Sequence, residues 1–177
     1  GVSTFGGTPD DGSVIRAIQT LKSRGYHVCL MPFMMMDVPA DNSLPNPYSD
    51  NAAQTGQPPL PWRGRITCSP APGYVGSPDK TSPAADQIAA FVGTVTPGHF
   101  GLPPLPFPIP GFGTDVVYAG PPEWSYRRMV LSVARLGQIA GGVESILIGS
   151  EMAALTTVRS GASTYPFVEA LKAIAAD

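Results

Sequence analysis

The sequence predicts an α/β fold built on parallel strands, and three observations predict it. Helical and strand-like segments alternate along the chain. An almost continuous apolar run at 26–36 has the composition of a strand buried on both faces, as a parallel sheet requires, and 143–148 reads as a second buried strand. Proline is also confined: of the 21 prolines, all but Pro9 and Pro166 fall from Pro32 to Pro122. The flanks therefore read as regular structure and the middle as irregular excursions, because proline lacks a backbone donor and fixes φ.

The elements follow in order. Thr8 is placed to cap a first helix, Pro9 suits its first position, and Asp10 and Asp11 favour the positive end of its dipole. Val14, Ile15, Ile18 and Leu21 form its apolar stripe, Lys22 and Arg24 lie in its last turn, and Gly25 ends it. The run 26–36 is the first strand and closes at Asp37; Pro32 inside it predicts a bulge or the end of ladder pairing. After a loop-rich stretch, Ser82-Pro83 opens a short helix carrying Ile88, Phe91 and Val92. A second loop-rich stretch contains 101–113, almost all Pro, Gly, Leu, Phe and Ile, which reads either as a covered extended arm or as a contact surface. A long helix is predicted over 122–140, with Met129, Val130, Val133 and Leu136 buried and Gly141-Gly142 as its stop. The second strand, 143–148, closes in Gly149-Ser150-Glu151, and a last helix over 165–176 places Phe167, Val168, Leu171 and Ile174 on one face.

Strands separated by helices imply parallel neighbours joined by right-handed crossovers. Two strands are too few for a closed barrel or an independent sheet, and a complete (β/α)₈ barrel takes roughly 250 residues. The expectation is thus one domain over 1–177 holding less than half of such a barrel, with loop insertions at about 38–82 and 94–122. The opening Gly-Val-Ser has neither the basic nor the apolar region of a signal peptide, and suggests a start inside a longer chain.

Composition narrows the function. Hydrophobic residues make up 43% and charged residues 14%, a globular balance. A net charge of −2 without a basic stripe argues against nucleic acid as a partner, and no apolar run is long enough to span a bilayer. Cys29 and Cys68 match no metal-ligand spacing and read as free thiols; His27 and His99 stand far from any carboxylate or cysteine cluster. No metal or cofactor is expected: Gly6-Gly7-Thr8 fits neither phosphate-loop nor dinucleotide spacing, and no Ser-His-Asp or Cys-His signature is present.

In a βα barrel, chemistry sits at the carboxyl ends of the strands. Asp37 and Glu151 occupy that position. A carboxylic acid there can protonate a leaving group, and glycoside hydrolysis uses two such groups, about 5–5.5 Å apart when configuration is retained. The plainer alternative is that Glu151 is a helix N-terminal charge or a structural hydrogen-bonding group. Trp62-Arg63 in the first excursion and Trp124 before the long helix suit a carbohydrate, since sugars stack on indole rings and arginine binds hydroxyl or acid groups. The alternative there is that both tryptophans pin loops and the arginines pair with acids. Met34-Met35-Met36 reads as core and pocket wall.

Several long segments then carry a resemblance: TPDDGSVIRAIQTLKSRGYHV, PFMMMDVPADNSLPNPY, PWRGRITCSPAPG, GSPDKT, EWSYRRMVLSVARL, GGVESILIGSEMAALTTVRS and YPFVEALKAIAAD. In this order they closely resemble the barrel-like domain of the large tail hub protein of alphaproteobacterial gene transfer agents and related siphophages. That domain is similar in turn to retaining glycosidases of the galactanase and mannanase type. In those enzymes the third strand has the form G-x-x-V-x-L and ends in Asp, and the fourth ends in Gly-Asn-Glu. The resemblance implies a partial, glycosidase-like (β/α)₈ barrel whose third and fourth strands are the two found here. It assigns Glu151 as acid/base, Asp37 and Ser150 to the substrate cleft, and the nucleophilic Glu to a later strand beyond Asp177. Ser150 stands where the enzymes carry Asn, and Met34 or Met35 where they often carry His. The implied setting is the tail tip or baseplate of a phage-like particle, assembled in the bacterial cytoplasm and released. The implied partners are cell-envelope polysaccharide and other tail proteins. Two functions stay open: polysaccharide cleavage, or an inactive barrel serving as a structural or glycan-binding module.

Overall fold

The computed structural model describes residues 9–51, 53–101 and 116–177. Thr8 and nearly all of 101–113 lie outside them. The described residues within Gly1–Pro32, Gly93–Ile148 and Asp177 form one compact unit, and those within Phe33–Val92 and Gly149–Ala176 form another.

The first unit holds helix α1 (Asp11–Ser23), strand β1 (Cys29–Leu30), the short antiparallel pair β2 (Phe100–Gly101) and β3 (Val117–Tyr118), helix α3 (Tyr126–Ile139) and strand β4 (Ser145–Ile146). Asp10 caps α1: its carboxylate accepts the Ser13 N–H at 2.8 Å and the Ser13 hydroxyl at 2.9 Å. Gly25, at φ +82°, ends the helix as expected. Its N–H reaches the Lys22 carbonyl, and the Tyr26 N–H reaches that of Leu21, the paired bonds of a Schellman turn. Helix α3 ends in the same way, with Gly141 bonding Gln138 and Gly142 bonding Gly137. Lys22 then donates to the Gly141 and Gly142 carbonyls, so one ammonium satisfies acceptors at the C-terminus of the other helix.

Helix α3 begins four residues later than proline placement suggests. Ser125 is its cap, accepting the Arg128 N–H, while the Glu123 carboxylate is used elsewhere, on the N–H groups of Thr94 and Val95. The core of this unit joins Ile15 and Ile18 of α1, Val28, and Leu136 and Ala140 at the end of α3, with Leu30 and Val143 packed against it.

The two expected strands are parallel neighbours, with Cys29 opposite Ser145 and Leu30 opposite Ile146. They are much shorter than their apolar runs. The Leu147 N–H reaches the Leu30 carbonyl, and two residues on Pro32 has no N–H to continue the ladder. The first strand is not buried on both faces: Val28 is buried and Leu30 half-buried, while Cys29 and Met31, which alternate with them, are exposed.

The second unit contains a 3₁₀ turn (Arg63–Arg65), helix α2 (Ser82–Val92), the short helix α4 (Ala153–Thr157) and helix α5 (Pro166–Ala176). Helix α5 packs on α2 and α4, and α4 packs on the 3₁₀ turn. Phe167, Leu155, Val158 and Met152 are among its fully buried side chains, and the Phe91 and Phe167 rings meet edge to face at 6.1 Å. The proline-rich excursion uses side chains in place of ladders. Asn42 alone accepts the N–H of Leu44 and of Gln57 and donates to the carbonyls of Pro39 and Gln57. Asp79 closes a second tie, accepting the backbone N–H and the guanidinium of Arg159, each at 2.8 Å.

Candidate functional site

The candidate site in the second unit is built on the turn Gly149-Ser150-Glu151. Gly149 has φ +73° and Glu151 φ +58°, and the Met152 N–H returns to the Gly149 carbonyl. A left-handed glutamate costs of order 1 kcal/mol or more, and such backbone strain gathers at functional positions. Gly149 is required twice over, by its φ and because a Cβ there would lie 2.9 Å from the Leu171 side chain of α5.

The turn presents Glu151 with its side chain 45% exposed. Its Oε2 accepts the Trp62 indole N–H at 2.8 Å and lies 3.4 Å from Nη1 of Arg63. Both neighbours come from the start of the 3₁₀ turn, where the Arg65 and Ile66 N–H groups bond the Trp62 and Arg63 carbonyls. Gly64 makes the arrangement possible: a Cβ there would sit 2.4–2.5 Å from three atoms of the Trp62 ring, so the indole lies directly over the glycine. Arg63 is mostly buried, and its guanidinium stacks 4.4 Å from the centroid of the Phe33 ring. Both contacts fall on Oε2, and the Glu151 side chain remains about half exposed.

Trp62 also borders a groove of ≈ 280 Å³ that Met36, Tyr48 and Arg65 help to line; Glu151 is outside the lining. The Tyr48 hydroxyl donates to the Arg65 carbonyl at 2.6 Å, and the Arg65 guanidinium lies 4.3 Å over the Tyr48 ring. Burial pushes the Tyr48 phenol above its ordinary value, so it stays a neutral donor.

The structure thus brings Trp62, Arg63 and Glu151 together. Ser150 adjoins Glu151 in the same turn and is half-buried; Asp37 is exposed and belongs to the same unit. Trp124 lies in the first unit, 76% exposed, beside the Arg128 guanidinium, which is held between the Trp124 and Tyr118 rings at 3.9 and 3.8 Å. Tyr48 and its groove have no local signature in the sequence, because Tyr48 meets Arg65 across a 17-residue separation within an irregular segment.

Both cysteines are free thiols, Cys29 exposed and Cys68 buried. Among the described residues no group of three or more His, Cys, Asp and Glu side chains is arranged to hold a metal ion. No helix there is long and apolar enough to cross a membrane.

Glu151 lies between β4 and α4, in the stretch that runs from Trp124 through α3 and β4 to α4 and α5. Residues 124–177 match the model of the GTA TIM-barrel-like domain family. This is the gene transfer agent family that the quoted segments resemble, and the match takes in Ser150 and Glu151. Parallel β1 and β4 among helices are compatible with the α/β character of a TIM-barrel-like domain. No curated protein was found to match the chain.

Proposed function

We propose that this chain is part of a (β/α)₈-type domain at the tail tip of a gene transfer agent or related phage. In this reading it binds cell-envelope polysaccharide through the corner formed by Glu151, Trp62 and Arg63. The observation that carries the proposal is the convergence of an indole, a guanidinium and a partly open carboxylate from segments 89 residues apart. Sugars offer apolar ring faces to an indole and hydroxyls to a carboxylate, and these three side chains meet both demands. Ser150 and Asp37 belong to the same cleft in this reading, and Trp124 is a further stacking surface. Titration with polysaccharide purified from a host envelope tests it. Trp62→Ala is expected to weaken binding about tenfold or more, the loss of one stacked aromatic; equal binding by wild type and variant would refute the assignment.

A second reading, hydrolysis with Glu151 as the catalytic acid, is favoured by one observation, the left-handed backbone at a residue whose carboxylate opens to solvent. Release of reducing sugar from the same envelope glycan, abolished by Glu151→Gln, is the outcome that reading requires. Retained binding with no sugar release by wild type leaves the binding module alone.

A further inference from the structure

Beyond the Glu151 corner, we propose that the groove bounded by Trp62, Tyr48 and Arg65 is a subsite for an acidic sugar residue, so that the polysaccharide contacted here is an anionic one. The inference rests on the glycan reading above and names the class of glycan.

Three observations carry it. First, thirteen residues line the groove, and Arg65 is the one charged side chain among them, with no carboxylate. In a chain of net charge −2 this is a local inversion of sign. Second, Arg65 is an exposed residue and makes no ion pair among the described residues. Arg63, Arg127 and Arg159 each sit within 4.0 Å of an acidic side chain. Arg65 instead sits over the Tyr48 ring, 4.3 Å from its centroid, a contact that steadies the cation without neutralising its charge and so suits it to pair with a planar acid group. Tyr48 is itself held by its bond to the Arg65 carbonyl, so the cation rests on a prepared surface.

Third, Trp62 is 54% exposed and belongs both to the groove and to the Glu151 corner. Its N–H is committed to Glu151, so what it offers a ligand is ring area. A pyranose stacked on that ring with a carboxylate turned toward Arg65 would use both features at once. Asn46, Gln57 and Ser69 supply neutral polar groups along the same lining for ring hydroxyls. One unpaired guanidinium is too little charge to track a phosphodiester backbone, which favours a sparsely charged polysaccharide over a nucleic acid.

The test is affinity electrophoresis of the whole chain through gels containing polygalacturonate, a neutral galactan, or oligothymidylate, at two ionic strengths. Wild type is expected to be retarded by polygalacturonate most, and less so at higher salt. Arg65→Gln is expected to weaken that retardation about tenfold while leaving the neutral galactan unchanged, and Arg65→Lys to retain part of it. Far-ultraviolet circular dichroism confirms that the variants fold, and the salt dependence of wild type reports on charge even if one does not. Equal retardation by acidic and neutral glycan, unchanged by Arg65→Gln, overturns the subsite and leaves the glycan reading standing. No retardation by either glycan overturns both. Preference for oligothymidylate overturns the choice of ligand.

Discussion

Gly64→Ala is the sharpest probe of the Glu151 corner, because it touches neither Trp62 nor Glu151 chemically. An ideal Cβ at position 64 falls 2.4 Å from Cη2 of Trp62 and 2.5 Å from two neighbouring ring atoms. Carbon atoms in contact sit about 3.5–4.0 Å apart, so the indole must retreat by roughly 1 Å or more. Its N–H now reaches Glu151 at 2.8 Å, and a retreat of that size carries the pair past the limit of a hydrogen bond. A hydrogen bond to a charged group contributes about 1.5–3 kcal/mol. The lower end applies here because both side chains are about half exposed. Alanine recovers about 0.4–1 kcal/mol by restricting the unfolded chain. The net expectation is a loss of roughly 1 kcal/mol in urea unfolding, with a shift in Trp62 emission read in a Trp124→Phe background. Combining Gly64→Ala with Glu151→Ala should cost little more than either alone, because both remove the bond between the indole N–H and the carboxylate. Unchanged emission and strictly additive losses would refute the proposition that Gly64 holds the indole against the carboxylate.

Phe167→Ala should destabilise the chain by about 3–5 kcal/mol, since the ring is wholly buried between helices and leaves a cavity; the urea midpoint checks it. Acid should destabilise the fold in a defined window. Burial raises the Asp79 carboxyl, but the side-chain and backbone bonds from Arg159 together outweigh it and hold it below the ordinary 3.8. The Ser125 hydroxyl and the Thr94 N–H hold Glu123 below 4.5. Both contributions are therefore complete above the unfolded values and are lost as pH falls through the lowered ones, so unfolding monitored from pH 6 to pH 2 should show a flat upper limb that Asp79→Asn makes shallower below. Finally, Cys29 should react promptly with a thiol reagent while Cys68, buried and with its thiol pushed up by that burial, should react only on unfolding; two equally fast thiols would contradict the packing.

The sequence alone determined what depends on near neighbours. The helices α1, α2, α3 and α5 and the glycine stops at Gly25 and Gly141 are local matters of spacing and capping, and the parallel pairing of the two strands followed from the order in which helices separate them. The resemblance of the quoted segments to the gene transfer agent domain was equally legible, because it lies in residue order. Tertiary structure decided the rest. Which of the two outcomes Pro32 takes, a bulge or the end of the ladder, that Cys29 and Met31 face outward, and that Asp10 takes the cap depend on which groups find partners in space. The indole of Trp62 finds Glu151 across 89 residues, and the guanidinium of Arg65 finds Tyr48 across an irregular loop. No periodicity encodes either meeting, because a segment without a repeating backbone gives its side chains no fixed direction until the surrounding chain has packed.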